Sequence, residues 1–138
     1  MTWKVCGDTH LPLADRKREW DGDAAAESMF RRAGWDDDHA DPDMARQGFF
    51  AYDDAAPKNK TSYKLPFAAV IDGRLRAVPR GVFSVAQVLE GARGGVDLPD
   101  EVSAAIRRKV AAYYHQLGEE PPWKEAQHKA PAREKSVA

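Results

Sequence analysis

The chain is poor in anything that would crosslink it or anchor it. Of its 138 residues only Cys6 is a cysteine, which excludes an internal disulfide framework and a cysteine-based zinc ribbon. No apolar run approaches the length of about 18 residues needed to cross a bilayer, so no membrane span is expected. Met1-Thr2-Trp3-Lys4 leads into Asp8 and His10 instead of an apolar stretch, unlike a secretory signal. Neither sign of charge prevails: 21 Lys+Arg face 22 Asp+Glu, and the pI is near 6.4, whereas nucleic-acid binders usually carry a strongly basic footprint. None of Ser28, Ser62, Ser84, Ser103 and Ser136 sits in a G-x-S-x-G elbow. No glycine-rich phosphate loop follows a strand, because Gly91, Gly94 and Gly95 close a helix. What remains is a soluble, cytosolic chain of single-domain size, able to bury roughly two thirds of its unfolded surface.

Near-neutrality hides an asymmetry. Residues 1–63 carry 9 basic and 13 acidic side chains, a balance of −4, and residues 64–117 carry 8 and 5, a balance of +3. The acidic excess gathers in Asp36-Asp37-Asp38-His39-Ala40-Asp41-Pro42-Asp43, which is too polar to pack and reads as an exposed loop. After Trp123 the chain is rich in Lys, Glu, Ala and Pro, with only Val137 as an aliphatic anchor. Such a composition cannot offset the entropy of ordering, so 124–138 is expected to be a disordered tail. The expected organisation is an N-terminal segment 1–20, a domain over 21–123, and the tail.

The second half carries the clearest periodicity. Tyr63, Leu65, Phe67, Ala69 and Ile71 alternate with Lys64, Pro66, Ala68 and Val70, as in a strand. Asp72-Gly73 supplies the two positive-φ positions of a type I′ turn, and Arg74-Leu75-Arg76-Ala77-Val78 returns, with Leu75 pointing away from its arginine neighbours. Pro66 lacks a ladder donor, which confines it to an edge, a strand start or a bulge. A lone ribbon is marginal in water, so helices must cover it. Val82, Val85, Ala86 and Leu89 share one helical face over about 80–92, with Gly94-Gly95 as the stop. A second helix begins near Asp97-Leu98-Pro99-Asp100-Glu101, buries Val102, Ile106, Val110, Tyr113 and Leu117, and ends at Gly118 before Pro121-Pro122.

The first half is less patterned. Asp21-Gly22-Asp23 offers N-caps for a helix over Ala24–Ala33 with Ala25, Met29, Phe30 and Ala33 inward and Gly34 closing it. A short helix fits Pro42–Gly48. Phe49-Phe50-Ala51-Tyr52 reads as a short strand or a buried bend, and Asp53 through Ser62 as a loop. The expected fold is α+β, a single small domain with a β-hairpin packed on two or three helices.

No catalytic set emerges from these elements. Asp8, His10, His39 and the aspartates of 36–43 include ligands for a divalent ion, but their spacing matches no EF-hand, and clustered loop aspartates usually form a solvated face. No metal or cofactor is therefore expected, and a small metal-dependent hydrolase using those residues is the enzymatic alternative. Cys6 has no base beside it and reads as a small apolar residue. A nucleic-acid alternative rests on the basic residues of 74–109, with Arg93, Arg107, Arg108 and Lys109 as phosphate contacts and Tyr113 or Tyr114 for stacking. Trp3, Trp20, Trp35 and Trp123 each stand beside charged residues and read as staples for loops and ends, Trp123 docking the end of the last helix.

Several strings carry a family resemblance. Tyr63-Lys64-Leu65-Pro66-Phe67-Ala68-Ala69-Val70-Ile71-Asp72-Gly73-Arg74-Leu75, continued by Ala77-Val78-Pro79-Arg80-Gly81-Val82-Phe83, is similar to a module of tailed-phage and prophage proteins. Leu11–Arg16, Trp20–Ala25, Gly91–Pro99 and Tyr113–Trp123 extend the likeness over about residues 10–124. The module resembles an accessory region of phage head-morphogenesis proteins, found beside prohead proteases and Mu-like protease/scaffold proteins, and has no assigned catalytic residues. The chain departs from it in carrying Met44-Ala45-Arg46-Gln47-Gly48-Phe49-Phe50-Ala51-Tyr52-Asp53 where copies hold a basic-aromatic segment, and in lacking the attached protease domain. The resemblance implies a non-enzymatic protein-interaction module in capsid assembly, set in the bacterial host cytoplasm or the virion. Its partner would be a capsid or protease component, and Arg74, Arg76, Arg80, Phe49, Phe50 and Tyr52 form its expected contact surface.

Overall fold

A computed structural model of the chain describes residues 1–123; the tail expected for 124–138 lies outside the described residues. In chain order the elements are β1 (Trp3–Val5), α1 (Gly22–Arg32), α2 (Pro42–Ala45), β2 (Phe49–Asp53), β3 (Tyr63–Pro66), β4 (Ala68–Ile71), β5 (Arg74–Ala77), α3 (Pro79–Leu89) and α4 (Asp100–Gln116), with short 3-10 turns at Trp35–Asp37, Arg46–Gly48, Lys60–Ser62 and Ala92–Gly94. The fold is α+β. Among the described residues no helix is long and apolar enough to cross a membrane.

The helices follow their end signals. Asp21 caps α1 by accepting from the Ala24 N–H, and Ala25, Met29 and Phe30 face inward with Ala33 just beyond. Asp41 caps α2 in the same way through Met44, with Pro42 in the first turn. In α3 the buried face is Val82, Val85 and Ala86, with Leu89 half-buried. Its stop comes earlier than expected: Gly91, at φ 106°, takes the left-handed position after the Glu90 cap, and Gly94-Gly95 belong to a separate turn. In α4, Ile106, Val110 and Tyr113 are wholly buried.

Two small antiparallel sheets replace the single ribbon. Asp72 and Gly73, at φ 52° and 78°, turn β4 into β5 in the register Ala68↔Ala77 to Ile71↔Arg74. The alternating run 63–71, however, is not one strand. Leu65 adopts φ 63° and Pro66 has no donor, so β3 ends there and joins β2 instead. Phe67 is the joint: its N–H donates to the Gly48 carbonyl beside β2, and its own carbonyl accepts from Val78 beyond β5. The alternation survives as buried Tyr63, Leu65 and Phe67, then fails at Ala68 and Ala69, both buried. The larger sheet has the order β1-β2-β3. Its central strand β2 is buried at all five positions, because helices and rings cover both sides; that is why Phe49-Phe50-Ala51-Tyr52 shows no alternation.

Side chains close the remaining gaps. The Ser28 hydroxyl donates to the Ala25 carbonyl at 2.6 Å and accepts from the Val70 N–H at 3.2 Å, so α1 covers the outer edge of β4. Residues 1–20, set apart on sequence grounds, supply β1 and a short parallel bridge from Leu13 to Ala77 on the outer edge of β5. Rings fill the core in two chains: Trp35, Phe30, Phe49, Tyr63 and Tyr52 in contact along one, and Phe50, Phe67 and Tyr113 along the other, with Phe50 and Phe67 stacked at 3.9 Å.

Candidate functional site

The basic residues separate into two groups by what they touch. On β5, Arg74 is exposed and Arg76 half-buried on the face opposite Leu75 and Ala77, and Arg80 is exposed in the first turn of α3. None of the three makes an ion pair or hydrogen bond within the described residues. Arg76 lines a depression of about 270 Å³ with Asp15, Arg18 and Asp72. On α4, by contrast, two of three adjacent cations are committed. Arg107 donates to the Leu89 carbonyl at 2.8 Å, pairs with Glu90 at 2.9 Å and lies over the Trp123 ring. Lys109 donates to the Gly7 carbonyl at 2.8 Å. Arg108 and Arg93 are exposed and have no partner among the described residues.

The engagement of Lys109 belongs to a wider device. Tyr113 donates to the Asp8 carbonyl at 2.5 Å and accepts from the Leu11 N–H at 3.2 Å, and Gln116 donates to the Thr9 carbonyl at 2.9 Å. Lys109, Tyr113 and Gln116 recur at helical spacing along one side of α4, so one helix face fastens the chain between β1 and Leu13. Burial pushes the Tyr113 phenol well above its ordinary range, with the Leu11 N–H opposing weakly. That phenol stays neutral and serves as both donor and acceptor.

The aromatic part of the expected contact surface lies inside. Phe49 is 1% and Phe50 0% exposed, each stacked on other rings, so these two are core and offer no ring to a partner. Tyr52, at the margin of the core, lies beneath the Arg46 guanidinium, 4.7 Å from its ring centre. Arg46 also pairs with Asp43. Cys6 donates its thiol to the Phe49 carbonyl at 3.0 Å, and burial raises its pKa to about 12 against the weaker pull of Lys109 and Arg46; the thiolate is disfavoured, which suits a packing role. Among the described residues no three of His, Cys, Asp and Glu gather as a metal site would require. Asp8 accepts from the His10 N–H, and Asp36, Asp37, Asp38 and His39 are exposed around a 3-10 turn.

No family model, curated protein or solved structure matches the chain. The site is therefore defined by its own geometry: an arginine-bearing hairpin whose cations have no partner among the described residues, and a helix whose cations are largely committed. A second concavity, unmarked by any motif, lies between the start of α1, the inner side of α3 and the 91–95 turn. It measures about 530 Å³, with Trp20, Asp23, Leu65, Ser84, Val88 and Arg93 in its walls. Those residues are scattered over four stretches of sequence, and no spacing joins them.

Proposed function

We propose that the chain is a non-enzymatic protein-interaction module of phage or prophage origin acting in head assembly, and that the β5–α3 arginines are its contact face. The supporting observation is the unpaired state of Arg74, Arg76 and Arg80, beside α4 cations that are partly consumed by the fold. Guanidiniums with no partner among the described residues are available to fork onto carboxylates, so the matching surface is an acidic face of a capsid or protease component. The likeness of residues 10–124 to the head-morphogenesis module supports the setting.

The nucleic-acid alternative draws on Arg93, Arg107, Arg108 and Lys109. With Arg107 and Lys109 tied to backbone carbonyls and Glu90, only two of those four remain for phosphates, which favours the protein-binding reading. The test is affinity capture from phage-infected lysate with wild type and with R74E/R76E/R80E. Recovery of a head protein by wild type and its loss with the charge-reversed variant is expected. Recovery of no head protein, or equal recovery by both, would overturn the proposal. A gel shift on duplex DNA at low salt, abolished by R93A/R108A, would support the alternative instead.

A further inference from the structure

Four non-glycine residues among those described have positive φ: Asp38, Leu65, Asp72 and Arg93. Asp38 and Asp72 sit in turns, and aspartate tolerates the left-handed region through its short polar side chain. Leu65 and Arg93 have no such allowance, and both line the 530 Å³ cleft. Unfavourable backbone at two separated points of one cavity is an observation that points toward function. The cavity also lies within the volume range typical of ligand pockets.

Apart from Asp21, which caps α1, its polar side chains are unspent among the described residues. Asp23 and Arg93 line the same cleft with opposite charge, yet form no ion pair with each other or with any other described residue. Among the described residues the Ser84 hydroxyl and the Trp20 indole N–H have no partner. The Trp20 ring is held by close packing on Gly81, where a Cβ would lie 2.8 Å from it. Leu65, Val85 and Val88 add an apolar strip. A phosphate ligand would meet the carboxylates of Asp21 and Asp23, and a bare cation would leave Arg93 unanswered.

We propose that this cleft binds a short peptide segment carrying one basic and one acidic side chain, the base toward Asp23, the acid toward Arg93, and an apolar residue between them on Leu65 and Val88. Trp20 and Ser84 would hydrogen-bond the peptide backbone. Arg74, Arg76 and Arg80 do not line this cleft, so the inference stands or falls separately from the head-assembly reading.

The probe is Ac-Arg-Leu-Glu-NH2, titrated into the ¹⁵N-labelled full chain while amide and indole resonances are followed. Saturable shifts at the Trp20 indole, Leu65 and Ser84 are expected, with Kd between about 10 μM and 1 mM. D23K and R93E should each weaken binding by roughly tenfold or more, while resonances in the β4–β5 turn stay in place as a control on folding. D23N and R93Q serve if either reversal disturbs the fold. No saturation by about 10 mM, equal shifts with Ac-Ala-Leu-Ala-NH2, or indifference to both charge variants would overturn the proposal. Equally tight response to inorganic phosphate alone would also overturn it.

Discussion

The β4–β5 hairpin and the β1-β2-β3 sheet are both short and antiparallel, but they are held in register by different means. In the hairpin, Ile71 and Arg74 are joined by a two-residue turn whose φ values match the twist of the strands. In the larger sheet, Trp3 pairs with Asp53 and Val5 with Ala51, strands separated by more than forty residues, so a long loop must close before any contact rewards it. Side chains make up the difference. The Asp53 carboxylate accepts from the N–H groups of Thr2, at 2.8 Å, and Ala55, at 3.0 Å. Lys109, Tyr113 and Gln116 fasten the segment after β1 to α4. A sheet built from distant pieces takes its register from bonds outside its ladder, and one built by a turn takes its register from the turn.

Breaking the joint between the two sheets should cost most. Phe67 is 0% exposed and bonded toward both, so Phe67→Ala is expected to destabilise by about 3–5 kcal/mol, read from the urea midpoint. Tyr113→Phe should come next, at about 1–3 kcal/mol, because it leaves the Leu11 N–H and Asp8 carbonyl without their partner; hydrogen exchange should rise at Leu11 and in β1 before it rises in the hairpin. Gly73→Ala isolates the turn. Nothing lies within 4 Å of a Cβ placed there, so the cost is conformational alone, about 1 kcal/mol at φ 78°, and it should appear first in the hairpin.

The smallest effect concerns acid. The Thr2 and Ala55 N–H groups hold the Asp53 carboxyl below its ordinary range. Its contribution is therefore fully present above about pH 3.9, the unfolded value, and is lost as pH falls through the lower folded value. Asp53→Asn should flatten the acid limb of the stability curve, with urea midpoints converging on wild type at the lowest pH. Equal slopes for the two proteins would remove Asp53 from the account of how β1 is held.

These differences also explain what could be read in advance. The hairpin turn, the Asp21 cap with its Ala25–Met29–Phe30 face, and the stripe of α4 all depend on residues within a turn or two of each other, where spacing and end chemistry decide. The break at Leu65 was signalled only by Pro66, since Tyr63 to Ile71 keeps strand alternation while the backbone turns within it. Nor was β1, three residues whose partner lies far along the chain. For the site, spacing placed Arg74 and Arg76 on the ribbon and Arg80 at the start of the next helix, as the structure has them. It could not separate free cations from committed ones, because the partners of Lys109 and Arg107 lie at Gly7 and at Leu89–Glu90. Phe49 and Phe50 looked available only because a strand covered on both sides has the same composition as an exposed aromatic cluster. The 530 Å³ cleft left no local signal at all; the one hint, an unpatterned Arg93 among glycines, has no meaning until the loop is placed beside Trp20 and Leu65.

The pairing of β1 with β2 has a consequence for synthesis. At translation speeds of about 5–20 residues per second, Trp3–Val5 emerges several seconds before its partner strand, and the α4 residues that fasten its far end come later still. During that interval a tryptophan, a valine and a reactive-capable thiol at Cys6 are uncovered on the nascent chain, whereas the hairpin can pair as soon as its return strand appears. Chaperone contact or oxidation early in production should thus fall on Trp3–Cys6, whose Trp3, Val5 and Cys6 side chains are half-buried once β1 has paired.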